Sequence, residues 1–197
     1  MTDTTSVNPI NLVAIIGSLR AGSFNRMVFN AAAGALPDGV SLTEIPIGDV
    51  PLYNGDVEDA GDPTAVTALK ETVDAADGLV IFTPEYNRSI PAVTKNAIDW
   101  LSRMPGQGPM SRAVVGCVAA TRGKHDCSGV RGHLHDSLGG ITKSLHDPSL
   151  GLGSAGHIFD ESGALSDADT EAALSDWFAG FADHVRTANA ATEGEDA

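Results

Sequence analysis

The chain has 197 residues, 42% of them hydrophobic, and carries 26 acidic against 12 basic side chains for a formal net charge of −14. That length and apolar fraction describe a folded domain with a substantial core, not a disordered chain, and no apolar run approaches the roughly 20 residues needed to cross a bilayer. The charge disfavours nucleic acid and anionic membrane as partners, and two cysteines, Cys117 and Cys127, are too few for a disulfide framework.

The N-terminus, "MTDTTSVNPI", has neither a basic n-region nor a long apolar stretch, so a cytoplasmic location is expected. Residues 1–197 read as one domain, with tails at 1–9 and 190–197. In chain order, "NLVAII" (11–16) is a short apolar strand, followed by a helix over 23–36 with Ser23 as its cap. A second strand covers 40–45, and a helix with Pro63 in its first turn covers 62–76. A third strand at 78–83 leads to a helix over 89–104, and a fourth at 112–120 to a helix over 129–145. "AGHIFD" (155–160) is the candidate for the fifth strand, and a closing helix runs over 166–188, capped by Ser166. Strands this short and this uniformly apolar are covered on both faces. Their alternation with helices predicts a doubly wound, five-stranded parallel sheet with helices on both sides. Ligands of such sheets sit at the carboxyl ends of the strands, which directs attention to the loops after the first, third and fourth.

The first of these loops is "GSLRAGSFN" (17–25). It fails the GxGxxG pattern of dinucleotide sites, and where a P-loop needs Lys and then Ser or Thr it has Ser23 and Phe24. What remains is a set of hydroxyl and amide groups, Ser18, Ser23 and Asn25, at a helix N-terminus whose dipole favours an anion. Arg20 can add a charge-assisted contact. The set suits one terminal monophosphate; plain capping by Ser23 with a solvated Arg20 accounts for the same residues. The second loop, "PEYNRSIP" (84–91), is stiffened by a proline at each end. Glu85 and Asn87 flank Tyr86, an arrangement that offers polar groups and a flat surface to a heterocycle. Capping of the next helix by Ser89 explains part of this loop but not the Glu–Tyr pair. His125, Cys127, His133 and His135 lie close in sequence, yet their spacing reads as a polar loop followed by a helix face and not as a metal site.

"GSLRAGSFNR" and "ADGLVIFTPEYNRSIPAVTKNAIDWLSR" (76–103) together resemble the NADPH-dependent FMN reductase family, whose members have a flavodoxin-like fold and include chromate, quinone and azo-dye reductases. The likeness extends over residues 12 to about 188. It implies non-covalently bound FMN, with Ser18, Leu19, Arg20, Ser23, Phe24 and Asn25 around its phosphate. It places Pro84, Glu85, Tyr86 and Asn87 against the isoalloxazine ring and matches Thr121 to a flavin-contacting residue. It further implies NADPH or NADH as co-substrate, ping-pong transfer to a small-molecule acceptor, and a homodimer or homotetramer; Trp100, Leu101 and Met104, late on their helix, are candidates for the interface. No protein acid, base or nucleophile is named, because the flavin carries the chemistry. Arg88 or Arg122 could meet the nucleotide's phosphates. Two departures stand out: Thr94 replaces a usual leucine, a change that reads as minor, and the loop at 120–132 is extended by Lys124, His125 and Asp126. An electron carrier of the same fold, without NAD(P)H activity, is the alternative reading. A serine hydrolase is disfavoured, since no GxSxG occurs.

Self-repulsion of a −14 chain is relieved by salt. The melting temperature is therefore expected to rise from low to molar potassium chloride, and a flat or falling curve in a thermal-shift series would rule out salt adaptation as the reason for the acidic surface.

Overall fold

The computed structural model describes residues 8–104 and 106–193. Its elements are β1 (Ile10–Ile16), α1 (Phe24–Ala32), β2 (Val40–Glu44), α2 (Gly55–Asp59), α3 (Thr64–Asp74), β3 (Gly78–Thr83), α4 (Ala92–Leu101), β4 (Val114–Ala120), α5 (Ser128–Leu138), β5 (Ser144–Leu145), β6 (Leu150–Leu152) and α6 (Ala168–Glu193). All pairings are parallel, in the order β2-β1-β3-β4-β5, with β6 also on β4. This is the flavodoxin-like arrangement. Every residue of β3 and β4 is buried. Because side chains alternate across a strand, Val13 and Ile15 face α3, α4 and α5, while Leu12, Ala14 and Ile16 face α1 and α6. Each fully buried Leu, Ile or Phe in these two layers contributes about 1.5–3 kcal/mol.

The fifth strand is not at 155–160. That position of the sheet is filled by two fragments, β5 beside Val114 and Val115, and β6 beside Val118 to Ala120. Helix α5 stops at Leu138, before Gly139 and Gly140, although Ile141 and Leu145 continue its apolar spacing. Between the fragments lies "HDPS" (146–149), and α6 anchors it: Trp177 Nε1 donates to Pro148 O at 3.0 Å, and Ser144 Oγ lies 2.8 Å from His184 Nε2. The Trp177 ring rests on Gly116, where an added Cβ would come within 2.8 Å of it. Residues 155–160 instead enter a small loop closed by an antiparallel bridge between Phe159 and Leu165. Hydrogen bonds from Ser162 and Ala164 to the Asp160 carboxyl organise this loop and hold its pKa below the usual value.

Three smaller expectations are also corrected. Asp167, not Ser166, caps α6, accepting from Thr170 N at 2.8 Å; Ser166 Oγ donates to Ile158 O. Helix α6 runs on to Glu193, so residues 190–193 are not tail; of the rest of the expected tails, Asn8 and Pro9 are exposed ahead of β1, and 1–7 and 194–197 fall outside the described residues. Trp100 and Leu101 are fully buried, with Trp100 Nε1 donating to Pro51 O and its ring edge-on to Tyr53, so neither is free to form an interface. Met104 is 63% exposed.

His146 packs against Trp177, Phe181 and His184. Burial, reinforced by His184 and opposed by Asp147, lowers its pKa from the ordinary 6.5. The unfolded chain therefore binds this proton more readily than the folded one, and the stabilisation is complete above pH 6.5 and lost as pH falls through the lowered folded value. A His146→Gln variant should show a smaller fall in melting temperature between pH 7.5 and 5.5 than the parent; equal falls in both would disprove a role for this ring.

Candidate functional site

The loops after β1, β3 and β4 converge at the carboxyl end of the sheet around a cavity of about 330 Å³. Of the eleven residues singled out in the sequence, Ser18, Arg20, Ser23, Phe24, Asn25, Pro84, Glu85, Tyr86 and Thr121 line it, joined by Gly22, Ala120 and Arg122. Leu19 lines a second, more apolar hollow of about 440 Å³, divided from the first by Ser18, Arg20 and Tyr86, which border both. Asn87 lines neither.

Several of these side chains hold the site together. Asn25 is 2% exposed; its Nδ2 donates to Ala120 O at 3.0 Å and its Oδ1 accepts from Ala120 N at 2.9 Å. Its amide thus clamps α1 to the end of β4, with Oδ1 and one Nδ2–H committed to Ala120. Ser23 caps α1, accepting from Arg26 N at 3.4 Å. Glu85 Oε2 accepts from Val130 N at 3.0 Å, supplying a cap for α5 that Cys127, at the N-cap position with φ of 59°, does not. In the turn, Tyr86 and Ser89 exchange backbone hydrogen bonds of 3.1 and 2.9 Å around Asn87 (φ 51°) and Arg88 (φ 61°). This is a two-residue hairpin whose twist demands positive φ at both central positions, which is the reason for an Asn at 87. Ser89 does not cap α4, where Pro91 occupies the N-cap, but bonds His133 Nδ1 at 2.8 Å.

Other groups are left open. Ser18, a buried residue, makes no side-chain hydrogen bond among the described residues, and its hydroxyl is not sealed from solvent. The backbone N–H groups of Phe24 and Asn25, in the first turn of α1, have no helical acceptor. Arg20 and Arg122 are exposed and in no ion pair among the described residues, and the ring of Tyr86 is 47% exposed at the edge of the cavity. An unpartnered hydroxyl, open helix N–H groups and unpaired guanidinium groups make a donor set for a phosphate monoester, beside a wall of Pro84, Tyr86 and Thr121. The residues present therefore fit FMN. Cys117 and Cys127 do not take part: both are buried, and burial pushes both thiols up to about 12.

A profile of the NADPH-dependent FMN reductase family matches residues 10–152. The chain belongs to this family. It is 40% identical over 159 residues to an NAD(P)H-dependent FMN reductase of Pseudomonas aeruginosa, covering 80% of this chain and 85% of that one. It is 37% identical over 157 residues to a quinone reductase of Escherichia coli, covering 72% of this chain and 84% of its relative. Among solved structures, the Paracoccus denitrificans flavoenzyme FerB, an NAD(P)H:acceptor oxidoreductase, superposes with a TM-score of 0.81 at 27% identity, over 90% of this chain and 98% of that one. The FMN reductase chain is accordingly a flavin-dependent oxidoreductase, with FMN as cofactor and NAD(P)H as reductant.

Sequence reading missed the residue on which the first loop turns. Thr94, expected to be a minor departure, is fully buried and pairs its Oγ1 with that of Thr83 at 3.0 Å. This pair occupies the space beside Gly17: a Cβ there would collide with Thr94 Oγ1 and lie 2.7 Å from Thr83 Oγ1. Replacing Gly17 with Ala should lower stability by about 1–3 kcal/mol and weaken flavin binding. Gly22→Ala, where nothing lies within 4 Å of an added Cβ, should unfold within about 0.5 kcal/mol of the parent. Urea denaturation compares the two, and equal midpoints would contradict the close-approach argument.

Proposed function

We propose that this FMN reductase holds the flavin phosphate with Ser18, Arg20, Ser23 and the first-turn N–H groups of Phe24 and Asn25. On this reading Pro84, Glu85, Tyr86 and Thr121 form the wall beside the isoalloxazine ring, and electrons pass to a small acceptor of the quinone class. The observation that carries the proposal is the convergence of three separated loops on one cavity that joins an anion-ready helix terminus to an exposed aromatic wall. Bound FMN supplies a reversible electron store able to take hydride from NAD(P)H and give electrons to an acceptor.

The protein's part is to bind and orient. Ser18 Oγ, which has no protein partner, would donate to the phosphate, and Arg20 would offset its charge. Tyr86 separates the two hollows and limits the faces from which small molecules approach. Asn25 and Glu85 act indirectly, one fixing α1 against β4 and the other fixing the β3 turn against α5. The quinone assignment follows the activity named for the Escherichia coli relative, and the apolar hollow beside Tyr86, lined by Leu19, Pro91 and Val93, suits such a ring. A homodimer or homotetramer in the cytoplasm completes the proposal. Among the described residues no helix is long and apolar enough to cross a membrane.

If residues 18–25 cradle a monophosphate, FMN should bind more tightly than riboflavin by at least about a hundredfold, since each charge-assisted hydrogen bond is worth roughly 1.5–3 kcal/mol. Ser18→Ala and Arg20→Ala should reduce that preference while leaving riboflavin affinity unchanged; they are cleaner tests than Ser23→Ala, which also removes a helix cap. Tyr86→Ala should weaken both ligands together. Quenching of flavin fluorescence on titration into apo-protein reads all of these affinities, and equal affinity for FMN and riboflavin would overturn the phosphate assignment.

A further inference from the structure

Twelve Lys and Arg residues serve a chain with 26 acidic groups. Six are held in ion pairs, and Arg103 and Lys143 are hydrogen-bonded to Asp99 O and Asn189 Oδ1. The four that have neither kind of partner among the described residues are Arg20, Arg88, Arg122 and Lys124. All four are exposed, and all lie in the three loops around the cavity. The carboxylates of those loops are already engaged. Glu85 faces Val130 N, and Asp126 is bound by Arg131 at 2.9 Å and by Ser128 N at 3.2 Å. The three loops around the cavity thus carry four unpartnered cations on an otherwise acidic protein.

The four divide into two pairs. Arg20 and Arg122 line the cavity itself; Arg88 and Lys124 stand outside it, each two residues beyond a lining residue, Tyr86 and Arg122. Arg88 occupies the second central position of the hairpin at φ 61°, where glycine is the favoured residue and a side chain carries strain of a kind that clusters at ligand clamps. Lys124 is on a loop whose backbone is packed down: a Cβ on Gly153 would come within 2.9 Å of Lys124 O and 2.8 Å of His125 O. Both cations stand on backbone that is held in place, by the hairpin at Arg88 and by the close approach of Gly153 at Lys124, and neither side chain has a hydrogen-bond or ion-pair partner among the described residues.

We propose that Arg88 and Lys124 form a phosphate-recruiting rim for the nicotinamide nucleotide, drawing it to the cavity against the protein's net charge and favouring NADPH over NADH through the additional phosphate on the adenosine. This rests on the reductase reading above. A phosphate held by these side chains would be in direct contact with their charge, whereas acidic groups farther than a Debye length of about 10 Å at 0.1 M salt are screened.

The test is made on FMN-loaded protein. The second-order rate of flavin bleaching by NADPH should fall with added potassium chloride, and more steeply than that by NADH. Arg88→Gln combined with Lys124→Gln should slow NADPH about tenfold, on the order of two exposed charge contacts. The same double variant should change NADH by less than about twofold and leave the FMN content unaltered. Independently of turnover, 2′,5′-ADP should bind more tightly than 5′-AMP, and the double variant should lose that difference. Rates that rise with salt, slowing of both nucleotides alike, or equal binding of the two adenosine phosphates would overturn the rim. Tight 2′,5′-ADP binding with no bleaching by either nucleotide would leave the rim standing and defeat the reductase reading instead.

Discussion

The site depends first on the buried amide of Asn25. Its oxygen and nitrogen are matched to the N–H and C=O of Ala120, 95 residues further along the chain. A buried polar group left unmatched costs about 1–3 kcal/mol, so the first turn of α1 and the last residue of β4 move as one unit. That holds Ser23, the cap of α1, in the same cavity lining as Thr121 and Arg122. The Thr83–Thr94 pair against Gly17 sets how closely β1 and β3 end beside α4. Glu85, accepting from Val130 N, ties the β3 turn to α5. Three contacts between elements far apart in sequence therefore convert three surface loops, ordinarily the mobile parts of a fold, into the rigid walls that a bound ring requires.

This explains the composition of the turn "PEYNRSIP". The proline at 84 closes β3 and the one at 91 opens α4. Glu85 caps a neighbouring helix, Tyr86 faces the cavity, Asn87 takes a left-handed conformation, and Ser89 reaches His133. What remains for a ligand is Tyr86, the faces of Pro84 and Glu85 that line the cavity, the unpartnered Arg88 and the adjoining backbone. A motif that reads as a binding loop is, in most of its residues, a device for holding one aromatic ring and a few main-chain groups in place.

How much of this was legible follows from the length scale of each signal. The first four strands and the helices of the wound sheet were readable because each is a contiguous apolar run or a sustained helical period. The split fifth strand was not, because fragments of two and three residues, separated by "HDPS", carry no periodicity, while Ile141 and Leu145 extend the apparent spacing of α5 past the glycines that end it. Helix α2, five residues announced only by Asn54 and a pair of acids, was likewise too short to register. At the site, residue type located the cavity but not the division of roles within it. Ser18, Ser23 and Asn25 look alike as donors in the sequence, and only the fold reveals that Asn25 is committed to Ala120 and Ser23 to the cap of α1 while Ser18 has no partner. Thr94 was undervalued for the same reason: its importance is a contact with Gly17, 77 positions away in the chain.

The same distribution of charge bears on whether the flavin serves small molecules or a docked protein. An electron carrier with a strongly acidic surface meets basic partners through complementary potentials around the redox centre. Here the three loops that form the cavity carry four unpartnered cations, while their two carboxylates, Glu85 and Asp126, are engaged within the fold. A basic partner drawn to the acidic flanks would meet repulsion at the mouth, whereas a small phosphorylated donor would meet attraction once inside the screening length. Net charge alone favours the carrier, but charge resolved by position favours the reductase, in agreement with the family to which the chain belongs.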